Sequence, residues 1–221
     1  MGQNVTGFDH LVIGAASLSE GVAYVKKTLG VDIPAGGEHP LMGTHNHLMK
    51  LSDSSFLEVI AINPTAPPPE RPRWFGLDDA SVRSQLAQPR LLTWVVNTPD
   101  LARLQTQTSF EFGQPTKVSR GDLSWQFAIP DDGRLLAGGI LPYLIQWEVD
   151  GHPARGMVDL DCSLEGLELH HPYPEWLGGI LKAIDADTFV IVQPLTGNAA
   201  PFIKASIATP MGIKTLSSKL N

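Results

Sequence analysis

The stretch GFDHLVIGAA, residues 7–16, decides the fold of this chain. Its run of apolar residues predicts a short buried strand that carries one histidine, His10. Side chains alternate between the two faces of a strand, so Leu11 and Ile13 share one face and His10 lies on the other. One face is therefore predicted to pack against a helix, and the face with His10 is predicted to line a cavity.

An amphipathic helix is predicted directly after this strand. Apolar residues recur at intervals of three and four from Leu18 to Leu29, which is the spacing of one helix face. Ser17 is expected to cap the start of the helix and Gly30 to end it. Residues 44–51 and 55–62 then read as two strands of a hairpin. The first unit, residues 1–63, is thus strand, helix, short extended piece, strand, strand.

The same order returns after a proline-rich connector, residues 64–89. Five prolines between residues 63 and 72 exclude regular structure there. Residues 90–150 repeat the first unit, and alignment of the two strand-to-helix steps places Thr93 at the position of His10. A third, more degenerate copy covers residues 151–221. This internal repeat predicts an α+β fold built from tandem modules.

Composition limits the classes of function. The 221 residues carry a formal net charge of −7 without a basic cluster, so neither nucleic acid nor an anionic membrane is an expected partner. No apolar run is long enough to span a bilayer, and no basic segment followed by an apolar one suggests a signal peptide. The single cysteine, Cys162, excludes an internal disulfide and fits a reducing compartment. A cytoplasmic address is expected.

Several sequence segments resemble the vicinal-oxygen-chelate superfamily and, more narrowly, its glyoxalase-like domain family. They are FDHLV at residues 8–12, HPLMGTHN at 39–46, FLEVI at 56–60, RPRWFGL at 71–77, LPYLIQW at 141–147 and His152-Pro153. The superfamily includes glyoxalase I, extradiol dioxygenases and the fosfomycin and bleomycin resistance proteins. The resemblance implies tandem βαβββ modules that form an open cup-shaped mixed sheet with helices outside, plus a third degenerate module.

The resemblance also implies a site inside the cup. In metal-dependent members of the superfamily, each of two modules supplies one ligand from its first strand and one from its fourth. The corresponding positions here are His10, Glu58, Thr93 and Gln146. His10 and Glu58 suit a divalent ion such as zinc, nickel, iron or manganese, Gln146 supplies a weaker neutral oxygen, and Thr93 is a poor ligand. Whether the site binds one divalent metal ion or none stays open.

His10 and Glu58 are the predicted catalytic residues, with or without a metal. Without one, the pair would act as a general base whose carboxylate fixes the imidazole tautomer. The alternative interpretation is a hydrogen-bonded structural pair. His45 and His47 share a face of the third strand and would complete a metal or substrate site if that face lined the cup, but local packing explains them equally well.

Trp125, Trp147 and Thr93 complete the predicted substrate-binding set. The two tryptophans offer flat aromatic surface to a ligand, and their alternative role is core packing. The predicted function is a glyoxalase-like small-molecule enzyme of the lyase or isomerase type, acting on a carbonyl or vicinal-oxygen compound. The alternative is a non-catalytic protein that sequesters a small molecule, as bleomycin resistance proteins do. Association of two copies into a homodimer stays open.

Overall fold

The computed structural model of the chain describes residues 6–197 and 199–219. Within these ranges lie twelve strands and four α-helices. The strands are β1 Gly7–Gly14, β2 Ala35–His39, β3 Thr44–Ser52, β4 Ser55–Ile62, β5 Arg90–Asn97, β6 Gln114–Arg120, β7 Leu123–Ile129, β8 Tyr143–Trp147, β9 Ser163–His171, β10 Ile191–Pro194, β11 Phe202–Thr209 and β12 Gly212–Ser217. The α-helices are α1 Leu18–Leu29, α2 Ala80–Gln85, α3 Leu101–Gln105 and α4 Pro174–Ala183.

Eight strands form one sheet in the order β2-β3-β4-β1-β5-β8-β7-β6. The first strand of each half pairs in parallel with the last one, β1 with β4 and β5 with β8. The two first strands, β1 and β5, pair antiparallel at the centre of the sheet. The edge strands β2 and β6 come into contact, so the sheet is curled around a hollow. The predicted α+β fold with an open cup-shaped sheet is confirmed.

Helix α1 covers the outer face of the sheet, on the side away from the hollow. Its buried residues include Val25 and Leu29, and it packs on β4. A methyl group on Gly21 would overlap the side chain of Val59, so the close approach of helix and strand needs a glycine there. Ser17 caps the start of the helix and Gly30 ends it in the left-handed conformation, as predicted.

The third copy keeps the predicted order of elements, but its strands pair differently. It forms a separate sheet in the order β10-β9-β11-β12, so that its first strand, β9, lies between β10 and β11. In the first two copies the first strand instead pairs with the last strand of its own unit. Strands β11 and β12 contact β5, and β12 also contacts α1. Across the described residues, every helix is too short or too polar to cross a bilayer.

Candidate functional site

The hollow of the sheet is a cavity with one polar wall. About 40 Å³ of the hollow is open to the centre of a water-sized group, within about 460 Å³ of space between atoms that includes open solvent. The polar wall is formed by His10, His39, Asn46, Glu58 and Arg120. The aromatic walls are formed by Phe56, Trp74, Phe75, Trp125, Phe127 and Trp147. An apolar pocket with a few convergent polar groups is the arrangement that binds small molecules.

Asp9 and His10 are chain neighbours whose side chains meet at this wall. The pairing of β1 with β5 shifts between Phe8 and His10, so Asp9 is the extra residue of a β-bulge. Nδ1 of His10 lies 2.5 Å from Oδ1 of Asp9. Since an ionised carboxylate can only accept, the proton of the neutral imidazole is on Nδ1 and the lone pair is on Nε2.

The carboxylate of Asp9 is fully buried and accepts hydrogen bonds from four side chains. Besides His10, the donors are Nδ2 of Asn97 at 3.1 Å, Nε1 of Trp147 at 2.8 Å and Nε2 of His152 at 3.0 Å. Burial alone would raise the pKa of Asp9. The hydrogen bonds from His10 and His152 outweigh burial and hold that pKa well below its usual range.

His152 ties the segment after β8 to the same carboxylate. Its Nδ1 accepts the backbone N–H of Ala154 at 3.2 Å, so Nε2 carries the proton that it donates to Asp9. The short turn Pro153–Gly156 follows, and its first residue lines the cavity. One buried charge therefore orients the cavity histidine and also holds part of the cavity wall in place.

Glu58 lies on β4, across from His10. Its Oε2 is 3.7 Å from Nε2 of His10, and its Oε1 accepts a 2.6 Å hydrogen bond from Nδ2 of Asn46. The amide of Asn46 is oriented because its Oδ1 accepts from the backbone N–H of Gly37 at 2.8 Å and from Nη1 of Arg120 at 3.3 Å. The structure thus places the imidazole and the carboxylate face to face in the hollow.

His39, on β2, is a neutral acceptor beside Arg120. Its Nδ1 lies 3.0 Å from Oγ1 of Thr44, and its Nε2 lies 3.4 Å from Nη1 of Arg120 and 3.4 Å from Nδ2 of Asn46. Both of the latter groups are donors, so Nε2 accepts. Burial, and after it the charge of Arg120, lower the pKa of His39 to about 3.

Arg120 joins the two edges of the curled sheet. It lies on β6, whereas His39 and Asn46 lie on β2 and β3. Gly37 leaves the space that the guanidinium arm occupies, since a Cβ at that position would lie 3.0 Å from Cδ of Arg120. The polar wall consequently combines side chains from both halves of the sheet, and it depends on the closure of the cup.

Trp125 and Trp147 border the cavity, as the aromatic-lining interpretation requires. Their ring centroids lie 5.3 Å apart with the planes tilted by 52°. Phe56 stacks on the imidazole of His10 with the centroids 4.3 Å apart and the planes within 14°. Flat rings therefore flank the polar groups, which favours a flat ligand.

His45 and His47 lie on the face of β3 opposite to Asn46, so the structure does not bring them to the cavity. Nδ1 of His47 is 2.8 Å from the backbone oxygen of Ile33. Alternation along the strand explains the placement, because Asn46 and Leu48 point into the hollow. The proposed role of either histidine in a metal or substrate site would require a different register of β3.

Thr93 and Gln146 are also placed outside the cavity. The hydroxyl of Thr93 is buried and donates to the backbone oxygen of Gly139 at 3.0 Å. The amide oxygen of Gln146 accepts the backbone N–H of Leu101 at 2.8 Å and so caps the start of α3. Of the four positions implied by the family resemblance, the structure brings together only His10 and Glu58.

Sequence reasoning misses five residues of the site: Asp9, His39, Asn46, Arg120 and His152. Alternation does place Asn46 opposite to His45, so the opposite choice of face for β3 would have found it. The role of Asp9 depends on the bulge in β1, and no local sequence pattern predicts that bulge. Arg120 reaches its partners only because the edges of the sheet meet.

The residues present do not fit a divalent ion. His10 and Glu58 supply two strong ligands, whereas catalytic sites for such ions have three. The other imidazole of the polar wall, that of His39, directs its acceptor nitrogen toward the guanidinium of Arg120, and a cation there would be repelled. Within residues 6–197 and 199–219, no group of three or more His, Cys, Asp or Glu side chains is arranged to hold a metal.

Comparison with known proteins identifies the family. The model of the glyoxalase-like domain matches residues 8–184, so the chain belongs to the glyoxalase-like domain family and the resemblance seen in the sequence is confirmed. No curated protein matches the chain. A hypothetical protein from Staphylococcus aureus shares the fold with a TM-score of 0.57 at 15% identity, over 91% of this chain and 81% of that one.

Two enzymes of Streptomyces coelicolor are more distant structural neighbours. The chain aligns with 4-hydroxymandelate synthase at a TM-score of 0.49 and 14% identity, over 97% of this chain and 63% of that one. It aligns with methylmalonyl-CoA epimerase at a TM-score of 0.43 and 17% identity, over 66% of this chain and 99% of that one. At these identities the likeness concerns the fold, and the activity has to be argued from the site.

Proposed function

We propose that this protein is a small-molecule enzyme of the isomerase or lyase type that moves a proton at a carbon next to a carbonyl group. The observation that carries the proposal is the Asp9–His10 pair, in which a buried carboxylate holds Nδ1 of the imidazole 2.5 Å away. This arrangement leaves the lone pair of Nε2 on the cavity side, which is what a general base requires.

The chemistry of the step follows from the groups that line the cavity. Nε2 of His10 takes the proton from carbon, the electron pair of the broken C–H bond forms a carbon–carbon double bond, and the carbonyl π pair moves onto oxygen. The buried carboxylate of Asp9 compensates the positive charge that the ring then carries. Return of the proton to a different position gives isomerisation, and loss of a leaving group gives elimination.

Glu58 is the second proton-handling group in this proposal. Its Oε2 lies 3.7 Å from Nε2 of His10, so both atoms can address the same part of a bound molecule. Asn46 holds the other oxygen and so fixes the direction of the carboxylate. Two groups with separate orienting partners allow removal and return of a proton at two positions of one substrate.

The second candidate function is binding without turnover. The observation that favours it is the extent of the aromatic wall, in which Trp125 and Trp147 present two large rings to the hollow. A sequestration protein would need these rings and would not need the Asp9–His10 pair.

Hydrogen exchange tests the proposal. The full-length protein is incubated in heavy water with a panel of aldehydes, ketones and oxo acids, and loss of the proton next to the carbonyl is followed by NMR. The wild-type protein should exchange at least one class of compound. His10→Gln should slow that exchange by roughly a hundredfold to ten-thousandfold, which is the usual contribution of a general base.

The matched control is His170→Gln, which removes an imidazole from β9 in the second sheet. It should leave the exchange rate unchanged. Binding of panel compounds by the wild-type protein without any exchange would reject the enzyme and favour sequestration. Equal exchange rates for His10→Gln and the wild type would reject the assignment of the base.

A further inference from the structure

We infer that Arg120 and the indole N–H of Trp74 form an anion subsite, and that the ligand of the cavity is a small aromatic carbonyl compound with one carboxylate. The inference deepens the proposed function by naming the substrate class, and it rests on the same cavity. It is carried by two donors in the cavity wall that have no acidic partner among the described residues.

Among the described residues, the hydrogen-bond partners of the Arg120 guanidinium are neutral: Nε2 of His39 at 3.4 Å and Oδ1 of Asn46 at 3.3 Å. None of the ion pairs within 4.0 Å in that part of the chain involves Arg120. Burial lowers the pKa of Arg120, and the charge of Glu58 opposes that shift. A half-buried guanidinium without a paired anion is a strong carboxylate binder, since its planar fork matches two oxygens.

Trp74 supplies the second donor. Its side chain is 3% exposed and lines the cavity, and its Nε1 is buried without a hydrogen-bond partner among the described residues. Buried donors are rarely left unpaired in folded proteins, so such an atom points to an acceptor supplied from outside the chain. The ring of Trp74 contacts the ring of His39 edge-on, with the centroids 5.0 Å apart, so the indole and the guanidinium of Arg120 adjoin the same imidazole.

The order of contacts along the polar wall sets the orientation of the ligand. Arg120 contacts Asn46, Asn46 contacts Glu58, and Glu58 faces His10. A carboxylate held by Arg120 therefore directs the rest of the molecule along this wall toward the proposed base. The flanking rings, Trp125 among them, provide the flat apolar surface that an aromatic group fills.

The test compares an acid with its neutral isostere. Phenylacetate, phenylacetamide and acetate are titrated into the wild-type protein by calorimetry, with tryptophan fluorescence as a second readout. Phenylacetate should bind at least about tenfold tighter than phenylacetamide, and acetate should bind weakly because it lacks the ring. Equal affinity for the acid and the amide overturns the inference, and this arm needs no variant.

Variants then assign the preference to its donors. Arg120→Gln should abolish the preference for the acid, and Trp74→Phe should reduce it while the aromatic surface is kept. The matched control, Arg103→Gln, removes an exposed guanidinium from α3 and should leave the preference intact. An acid preference that survives unchanged in folded Arg120→Gln, shown by an intact thermal transition, overturns the assignment.

The outcomes separate this inference from the proposed function. Preferential binding of phenylacetate together with no hydrogen exchange in any carbonyl compound supports the anion subsite and rejects the enzyme. Exchange of neutral ketones without any preference for acids rejects the subsite and supports the enzyme.

Discussion

Oδ1 of Asp9 and Nδ1 of His10 lie 2.5 Å apart, although adjacent residues of a regular strand point to opposite faces. The bulge in β1 opposite β5 makes the contact possible. The acid that orients the cavity histidine is therefore its neighbour in the chain, and only the pairing of two strands shows that the two side chains work together.

Replacement of Asp9 by asparagine should destabilise the fold strongly. The amide puts a donor where a carboxylate oxygen now accepts, and the buried hydrogen bonds from His10 and His152 lose their anionic partner. Each hydrogen bond to a charged group contributes about 1.5–3 kcal/mol, so loss of these two should lower the free energy of unfolding, measured in urea at neutral pH, by roughly 3–6 kcal/mol. Asp32→Asn, which removes an exposed carboxylate that pairs with Lys26, is the control and should change little.

Urea unfolding of Asp9→Asn can also contradict the predicted loss of stability. An Asp9→Asn variant that unfolds at the same urea concentration as the wild type would mean that the buried carboxylate does not organise the cavity wall.

His39 should make the protein less stable in mild acid. Its pKa is about 3 in the folded chain against 6.5 ordinarily, so the unfolded chain takes up the proton first. The contribution is complete above about pH 6.5 and is lost as the pH falls toward 3, with a slope of up to about 1.4 kcal/mol per pH unit. In His39→Gln the urea midpoint should change less between about pH 6 and pH 4 than in the wild type. His170→Gln should show the same change as the wild type.

Asp9 adds a second loss at lower pH. Its pKa is held below the ordinary range in the fold, so its contribution to stability is present above about pH 4 and is lost as the pH falls further.

An unfolding free energy that stays constant from neutral pH to about pH 4 in the wild type would contradict the buried neutral state of His39.

Gly36→Ala should disturb the site through Asn46. A methyl group at this position would overlap Oδ1 of Asn46, which holds the carboxylate of Glu58 through its Nδ2. Overpacking of this kind costs about 1–3 kcal/mol, and the hydrogen-exchange rate should fall as Glu58 loses its orienting partner. Gly179→Ala on the exposed side of α4 meets no neighbour and should instead stabilise by about 0.5–1 kcal/mol.

The same measurements on Gly36→Ala can also contradict the orienting role of Asn46. Full activity and unchanged thermal stability would show that Asn46 can move without consequence.

Removal of divalent ions should leave the protein unchanged. Only His10 and Glu58 of the four family positions face the cavity, and a guanidinium lies beside His39, the other imidazole of the polar wall. Protein purified without a metal-affinity tag and treated with a chelator should keep its thermal midpoint and its exchange activity. Stoichiometric metal that is released by both His10→Ala and Glu58→Ala would contradict the donor-set argument.

The sequence predicts the central part of this structure because that part depends on local patterns. Alternation over residues 7–16, the capped helix that follows and the repeat at residue 90 are enough to predict an α+β fold of tandem modules. The cup-shaped sheet and the meeting of His10 with Glu58 are what the family resemblance implies. The rest depends on non-local geometry. The face of β3 that carries Asn46 is ambiguous in the sequence, and the contact of Arg120 with His39 exists only once β2 and β6 approach each other.

The family positions mislead for a related reason. Equivalent positions of a repeat have equivalent backbone positions. The side chains of Thr93 and Gln146, however, each form a hydrogen bond with a backbone group instead of facing the cavity. A resemblance therefore transfers the fold more safely than it transfers a set of ligands.

The protonation pattern of the His10 ring tests the account most directly. Long-range proton–nitrogen correlation NMR on the full-length protein distinguishes the two neutral tautomers of each histidine, and comparison with His10→Gln assigns the signals. The account predicts a proton on Nδ1 of His10, bound to Asp9, and an unprotonated Nε2 that responds to phenylacetate. A His10 ring that carries its proton on Nε2 at neutral pH would contradict the account, because the imidazole would then present no lone pair to the cavity.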